Sequence, residues 1–172
     1  MEMLKSVIRD IPDFPKEGII FKDITPLLSN PSSFQKAIDI LKDRYKNKRI
    51  DRVVGIEARG FIFASALAYA LGCGMVMVRK PGKLPYKTFQ KTYSLEYGED
   101  SIEIHQDAFE KGQRIVVIDD VLATGGTLAA CVELIRKNFE IDLIEVGFLI
   151  ELDFLNGGEK IRDIPIYSVM HF

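Results

Sequence analysis

Two aspartates stand side by side at positions 119 and 120, at the end of the apolar run RIVVI, and VLATGGT follows them at once. Carboxylates accept hydrogen bonds from sugar hydroxyls and act as outer partners of a hydrated divalent cation. The small residues Ala123, Thr124, Gly125 and Gly126 leave backbone N–H groups free to converge on an anion. A helix opening near Thr127 adds its positive end, and the Thr124 and Thr127 hydroxyls add donors. The acidic pair and the anion cradle want opposite partners, and a phosphorylated sugar has both. Either half alone reads as an acidic strand end or an ordinary capping turn, but their combination favours the phosphosugar. The lysine of G-x-x-x-x-G-K-[ST] is absent, which excludes a nucleoside-triphosphate P-loop.

Three further stretches carry groups suited to such a ligand. EARG follows the run VVGI, placing Arg59 at a strand end beside Gly60, where the backbone has freedom to approach a ligand. Arg79, Lys80 and Lys83 form a cationic group among Pro81, Gly82 and Pro85. GIIFKDI near the start offers apolar and aromatic surface for a flat ring, or else a short buried strand.

The elements that must position these residues are legible as alternating periodicities. Phe34, Ala37, Ile38, Leu41 and Tyr45 recur at helical spacing after Pro31, with Ser32 or Ser33 as the expected cap. Phe61, Ala64, Ser65, Ala68 and Leu71 form a second stripe that ends at Gly72, and Leu128, Val132, Leu134 and Ile135 a third. Between them lie apolar runs at 53–56, 75–78, 115–118 and 143–150, each suited to a strand buried on both faces. This order predicts an α/β fold, a mainly parallel central sheet flanked by helices, with ligands beyond the carboxyl ends of the strands. Residues 80–100 are too polar for core and are expected to form a long flexible lid loop. SIEIH then alternates like an edge strand, which turns Glu103 and His105 to solvent.

Bulk properties set the limits. A chain of 172 residues supports a single domain, 1–172, and its net charge of −2 recommends neither a nucleic acid nor an anionic membrane. No stretch is long and apolar enough for a membrane span or secretory signal, so a cytosolic protein is expected. Cys73 and Cys131 stand far apart and outside any metal-binding spacing.

The chain resembles the type I phosphoribosyltransferases, whose hallmark is two acids followed by a small-residue phosphate loop between strand and helix. PDFPKEGIIFKDITPLL, VVGIEARGF, VRKPGKLP, YSLEYG and DDVLATGGT occur in the order and spacing found in the adenine phosphoribosyltransferases, covering almost the whole chain. The resemblance implies transfer of the phosphoribosyl group from 5-phosphoribosyl 1-pyrophosphate to adenine, giving AMP and pyrophosphate, with Mg²⁺ held through substrate and water near Asp119 and Asp120. It implies a homodimer, a small N-terminal hood at 1–30 that binds adenine, and a strained or cis peptide at Glu57 and Ala58. Arg59, Arg79, Lys80 and Lys83 then hold the pyrophosphate. Glu96, in YSLEYG on the lid, becomes the base that takes the adenine N9 proton, with Tyr97 beside it shaping the closed site. The backbone of Ile20 meets the adenine edge, Phe21 stacks on the ring, and Leu152 closes the slot from the other side. Lys22 stands where many relatives carry Arg, and it lacks the planar fork that a bidentate contact requires.

Other readings stay open at this level: another purine base, a regulator that binds the phosphoribosyl ligand without catalysis, or a phosphatase or receiver domain using Asp119 or Asp120 as nucleophile. The amino-terminal segment favours adenine. No added DNA-binding region or basic face supports the regulator, and the Gly-rich turn has no use in the last.

Overall fold

The structure, a computed structural model, describes residues 2–94 and 98–172. A single helical turn, α1 (Glu2–Lys5), leads into a two-stranded antiparallel ribbon of β1 (Arg9–Pro12) and β2 (Ile20–Asp23), the body of the hood. Helices α2 (Thr25–Ser29) and α3 (Pro31–Tyr45) follow. The cap of α3 is Asn30, not Ser32 or Ser33: its side chain accepts from the Ser33 N–H at 3.0 Å. Pro31 needs no N–H partner and has its φ preset, so it starts the helix and leaves the preceding residue to cap it.

The remainder alternates as expected: β3 (Arg52–Ile56), α4 (Gly60–Leu71), β4 (Gly74–Val78), β5 (Thr88–Ser94), β6 (Glu99–His105), β7 (Arg114–Leu122), α5 (Gly126–Asn138), β8 (Asp142–Glu151), two 3₁₀ turns (Asp153–Leu155 and Gly157–Ile161) and β9 (Ile166–His171). Five strands pair in the order β4-β3-β7-β8-β9, all parallel. Val53, Val116 and Ile118 turn toward α3 and α4, while Val54, Ile115 and Val117 turn toward α5, so neighbouring residues of one strand feed two cores. The chain leaves β3 for β4 on one side and returns for β7 on the other. Strand order therefore reverses between β3 and β7, where a parallel sheet opens a ligand crevice at its carboxyl edge.

Several expectations yield to this arrangement. The stripe of α4 buries Phe63, Ala64, Leu67 and Ala68, and leaves Ser65 exposed. That helix is apolar on nearly all sides, so its pattern alone could not choose the buried face. The run 75–78 is an outer strand, and Met77 on it is 43% exposed. Most of the expected lid loop is regular: β5 and β6 form an antiparallel ribbon with seven paired positions, from Thr88↔His105 to Ser94↔Glu99. Phe89, Lys91 and Tyr93 share one face of β5 and meet α5 and its end. Phe89 packs edge-on to Phe139 at 5.6 Å, Lys91 pairs with Glu133 at 2.5 Å, and Tyr93 reaches Thr127 at 3.0 Å. This alternation of large inward groups with polar outward ones was hidden by the high polar content of the segment. Glu103 is buried, contrary to its expected place in solvent, and its carboxylate accepts the Gly82 N–H at 3.2 Å. No helix among the described residues is long and apolar enough to cross a membrane.

Behind the sheet, buried Glu145 of β8 is met by the Arg44 guanidinium and by Lys48 at 2.9 Å, which ties the end of α3 to the sheet. Tyr45 next to it is 1% exposed, and its hydroxyl has no aligned hydrogen-bond partner. A methyl group on Gly147 would lie 2.5 Å from that hydroxyl and 2.8 Å from Ile118 Cδ1. Gly147→Ala is expected to lower stability by about 1–3 kcal/mol in denaturant titrations. Tyr45→Phe, which removes a buried hydroxyl with no well-aligned partner beside Glu145, should cost little and should recover part of the loss in the double variant. A Gly147→Ala protein as stable as its parent would show that the contact yields freely.

Candidate active site

The crevice between β3 and β7 is built from both strand ends. β3 runs into a cis peptide between Glu57 and Ala58, followed by Arg59 and the first residue of α4, Gly60. A methyl group on Gly60 would come within 2.6 Å of Asp119 Oδ1 and 3.0 Å of the Ile118 carbonyl oxygen. The freedom this glycine supplies is thus spent on approach to β7, and no ligand is needed to account for it.

Asp119 and Asp120 lie within β7, not beyond it, and successive strand residues point to opposite faces. Asp119 lines a hollow of about 100 Å³ together with 121–128 and Phe148. Asp120 turns away from that hollow, and its Oδ2 lies 2.7 Å from Arg59 Nε. The contact is ionic: Oδ2 is buried and has no aligned hydrogen-bond donor. Removal from water pushes the Asp119 carboxyl well above the usual carboxylate range, and the neighbouring Asp120 charge pushes it further. Burial also raises Asp120, while the Arg59 guanidinium opposes the rise. Both carboxyls are thus more readily protonated than free ones, and a positive charge nearby would favour their ionised forms. The Arg59 guanidinium carbon also sits 4.9 Å from the Phe21 ring centroid, which joins the crevice to the hood.

The turn after β7 is set by one backbone approach. Gly125 has φ +73° and precedes the first residue of α5, Gly126. A methyl group on Gly125 would meet the Gly157 carbonyl oxygen at 2.1 Å, and one on Gly157 would meet the Ala123 carbonyl oxygen at 2.1 Å. The 3₁₀ turn Gly157–Ile161 thus backs the 123–126 segment, leaving its other side to the hollow. Thr124 at the rim is exposed, and the Thr127 hydroxyl lies 3.0 Å from Tyr93 OH.

The cationic group is gathered at the root of the β5–β6 ribbon, and each member already has an acidic partner. Glu57 accepts from Lys83 Nζ at 2.5 Å, the Lys80 N–H at 2.8 Å and Arg79 Nε at 3.2 Å. Burial by itself would raise the Glu57 pKa, but these three donors outweigh it and hold the carboxyl at about 2. The Lys80 ammonium pairs with Asp100. Glu57 thus anchors the cations and presents no free charge to an anion.

On the hood, Ile20 is 56% exposed and Phe21 packs edge-on to Phe14 at 5.2 Å. Lys22 pairs with Asp10 at 2.8 Å and lies 4.3 Å from the Phe172 ring centroid, so its ammonium is used inside the hood. Leu152 leaves β8 with its N–H donated to the Leu122 carbonyl at 2.9 Å, beside the end of the acidic strand. Glu96 and Tyr97 lie outside the described residues. Tyr93, Asp100 and Gly157 escaped the sequence reading. The alternation in TFQKTYS pointed to the first, and the glycine pair in LNGGEK to the last.

Comparison with known proteins agrees with this geometry. Residues 23–161 match the family model of the phosphoribosyl transferase domain. The chain is 58% identical to the adenine phosphoribosyltransferase of Citrifermentans bemidjiense, over all 172 residues and the whole of that protein. The crystal structure of the Thermoanaerobacter pseudethanolicus adenine phosphoribosyltransferase superposes with a TM-score of 0.95 at 48% identity, covering 99% of both chains. The Saccharomyces cerevisiae adenine phosphoribosyltransferase, solved with an imino-altritol bisphosphate and adenine, gives 0.91 at 44% identity over 98% of this chain and 97% of its own. With a crevice of this shape and identity sustained from end to end, the chain belongs to the phosphoribosyltransferase family, among its adenine phosphoribosyltransferases.

Proposed function

We propose that the protein transfers the 5-phosphoribosyl group of 5-phosphoribosyl 1-pyrophosphate to N9 of adenine, giving AMP and pyrophosphate. One observation carries the reading: at the strand-order reversal, a glycine turn and an acidic side chain line the same hollow, with Arg59 spanning from the adjoining acid to an aromatic ring of the hood. The bond from the anomeric carbon to pyrophosphate breaks and that from N9 to the anomeric carbon forms. Positive charge grows on the ribose, negative charge on the leaving oxygen, and the N9 proton departs.

The turn at 123–127 is suited to the 5-phosphate, because the backbone facing the hollow and the start of α5 offer donors to a dianion. Asp119 is the proposed acceptor for ribose hydroxyls, supported by its position on the hollow. Arg59, Arg79, Lys80 and Lys83 are the cations available to the pyrophosphate, and fixing them beforehand lowers the barrier by stabilising charge as it develops. The donor set also fits Mg²⁺: two adjacent carboxylates, one lining the hollow and one with a buried oxygen that has no aligned hydrogen-bond donor. Bound through pyrophosphate and water near Asp119 and Asp120, the ion would neutralise leaving-group charge. Phe21 and the exposed edge at Ile20 are the proposed face and border of a base slot, and Leu152 the proposed residue on its other side. Glu96, in YSLEYG, is the proposed acceptor of the N9 proton, and Tyr97 its neighbour in the closed site. We further place the enzyme in the cytosol as a homodimer, supported by unpaired Cys73 and Cys131 and by the exposed Ile62, Tyr69 and Met77 on α4 and the outer strand β4.

The deciding assay supplies each purine with 5-phosphoribosyl 1-pyrophosphate and Mg²⁺ and follows nucleotide by chromatography. Adenine should give AMP, with hypoxanthine and guanine far slower; no AMP from adenine would end this reading. Gly157→Ala, which removes no functional group, should displace the turn and weaken ribose 5-phosphate binding at least about tenfold by calorimetry, about 1.4 kcal/mol. Parental affinity in a folded Gly157→Ala protein would deny the turn its role. Glu96→Gln should slow turnover by about a hundredfold or more while sparing adenine binding, and an unchanged rate would remove Glu96 as the base.

A further inference from the structure

The two lysines at the root of the ribbon are held in different ways. Lys83 and Arg79 share Glu57, which lies at the end of β3 on the sheet itself. Lys80 gives only its main-chain N–H to Glu57, at 2.8 Å, and sends its ammonium to Asp100 on β6. Asp100 is itself fixed from two sides. Its Oδ1 accepts the Ser101 N–H at 2.8 Å, and its Oδ2 accepts the Tyr93 O–H at 3.2 Å. Tyr93 O lies 3.0 Å from Thr127 Oγ1 in the turn. A phenol has one proton, and the ionised carboxylate only accepts, so Tyr93 donates to Asp100 and receives from Thr127. One acidic side chain on the ribbon thus connects the cation of one proposed subsite to the phosphate turn of the other.

We propose that Asp100 is a positioning residue for the pyrophosphate subsite, its carboxylate occupying the Lys80 ammonium while the site is empty and surrendering it when pyrophosphate binds. The inference rests on the reading of Lys80 as a cation for the leaving group. Pyrophosphate carries more charge than a carboxylate and wins the ammonium, but every binding event forfeits the Asp100 contact. The grip on pyrophosphate is correspondingly weaker, which favours release of the product. Both partners are partly exposed, with 38% of the Lys80 side chain and 28% of the Asp100 side chain accessible, so screening keeps the effect moderate.

Asp100→Asn tests this with little disturbance, because the amide oxygen can still accept from Ser101 or Tyr93 while the competing charge is gone. Calorimetric titration with pyrophosphate is expected to show about fivefold tighter binding than the parent, the size of a partly screened ion pair. Asp100→Glu should restore parental affinity. In a Lys80→Ala background, Asp100→Asn should change nothing, since the two side chains act through each other. A purely structural Asp100 would give weaker or equal binding in the Asn variant, and that result overturns the proposal. So does an equal tightening with Lys80 absent, which would mark a general loss of negative charge. If Lys80→Ala binds pyrophosphate as the parent does, the reading of Lys80 fails and Asp100 falls with it. If Lys80→Ala weakens binding and Asp100→Asn does not tighten it, the site reading stands and the role of Asp100 alone is lost.

Discussion

The closeness of β3 and β7 at their carboxyl ends governs everything built above them. Gly60 enters α4 against Asp119 with no room for a side chain, and Arg59, one residue earlier, is thereby brought to Asp120. A glycine contact of this kind fixes backbone to backbone, which no flexible ion pair does. The consequence is electrostatic: two adjacent acids are drawn out of water where their charged forms are disfavoured. Burial is the main cause of the rise at both acids, so a positive charge brought close to them would favour their ionised forms. The Arg59 guanidinium, just after β3, offsets only part of that burial penalty.

The rest of the cleft is neutralised from within. Glu57 and Asp100 occupy Arg79, Lys80 and Lys83, and the hood keeps Lys22 on Asp10. Unpaired, three cations at one ribbon root would repel one another and disfavour the compact form. Paired, they stay in place, and on the proposed reading this comes at the expense of affinity for pyrophosphate. For a transfer reaction whose second product is pyrophosphate, moderate affinity is an advantage, because a site that binds its leaving group too well turns over slowly.

The sequence made the sheet and the glycine turn after β7 legible because both are local. Apolar runs of four to eight residues between helical stripes admit few arrangements, and a strand, turn and helix with small residues at the turn carry their own geometry. What escaped depends on partners distant in sequence. The ribbon β5–β6 is polar when read alone and becomes regular only because Phe89 and Tyr93 find α5 and its turn, more than thirty residues on. Glu103 looked solvent-facing by alternation and is buried because the Lys80–Lys83 segment folds over it. The acidic pair was legible as a pair, yet strand parity sends its members to opposite faces, so the side chains divide the work of hollow and cation. The family resemblance reached further than spacing did, since the peptide between Glu57 and Ala58 is cis and no local pattern announces it.

The turn shows why the hallmark residues are insufficient by themselves. Gly125 is demanded twice, once by its positive φ and once by the Gly157 carbonyl beneath it. Gly157 is demanded in turn by the Ala123 carbonyl, and it belongs to a 3₁₀ turn that follows β8 in the chain. A phosphate-binding loop is preorganised when its donors cannot collapse onto neighbouring acceptors in the absence of ligand. Here the backing comes from the connection between β8 and β9, so the shape of the hollow is a property of the finished fold and not of the nine residues that advertise it.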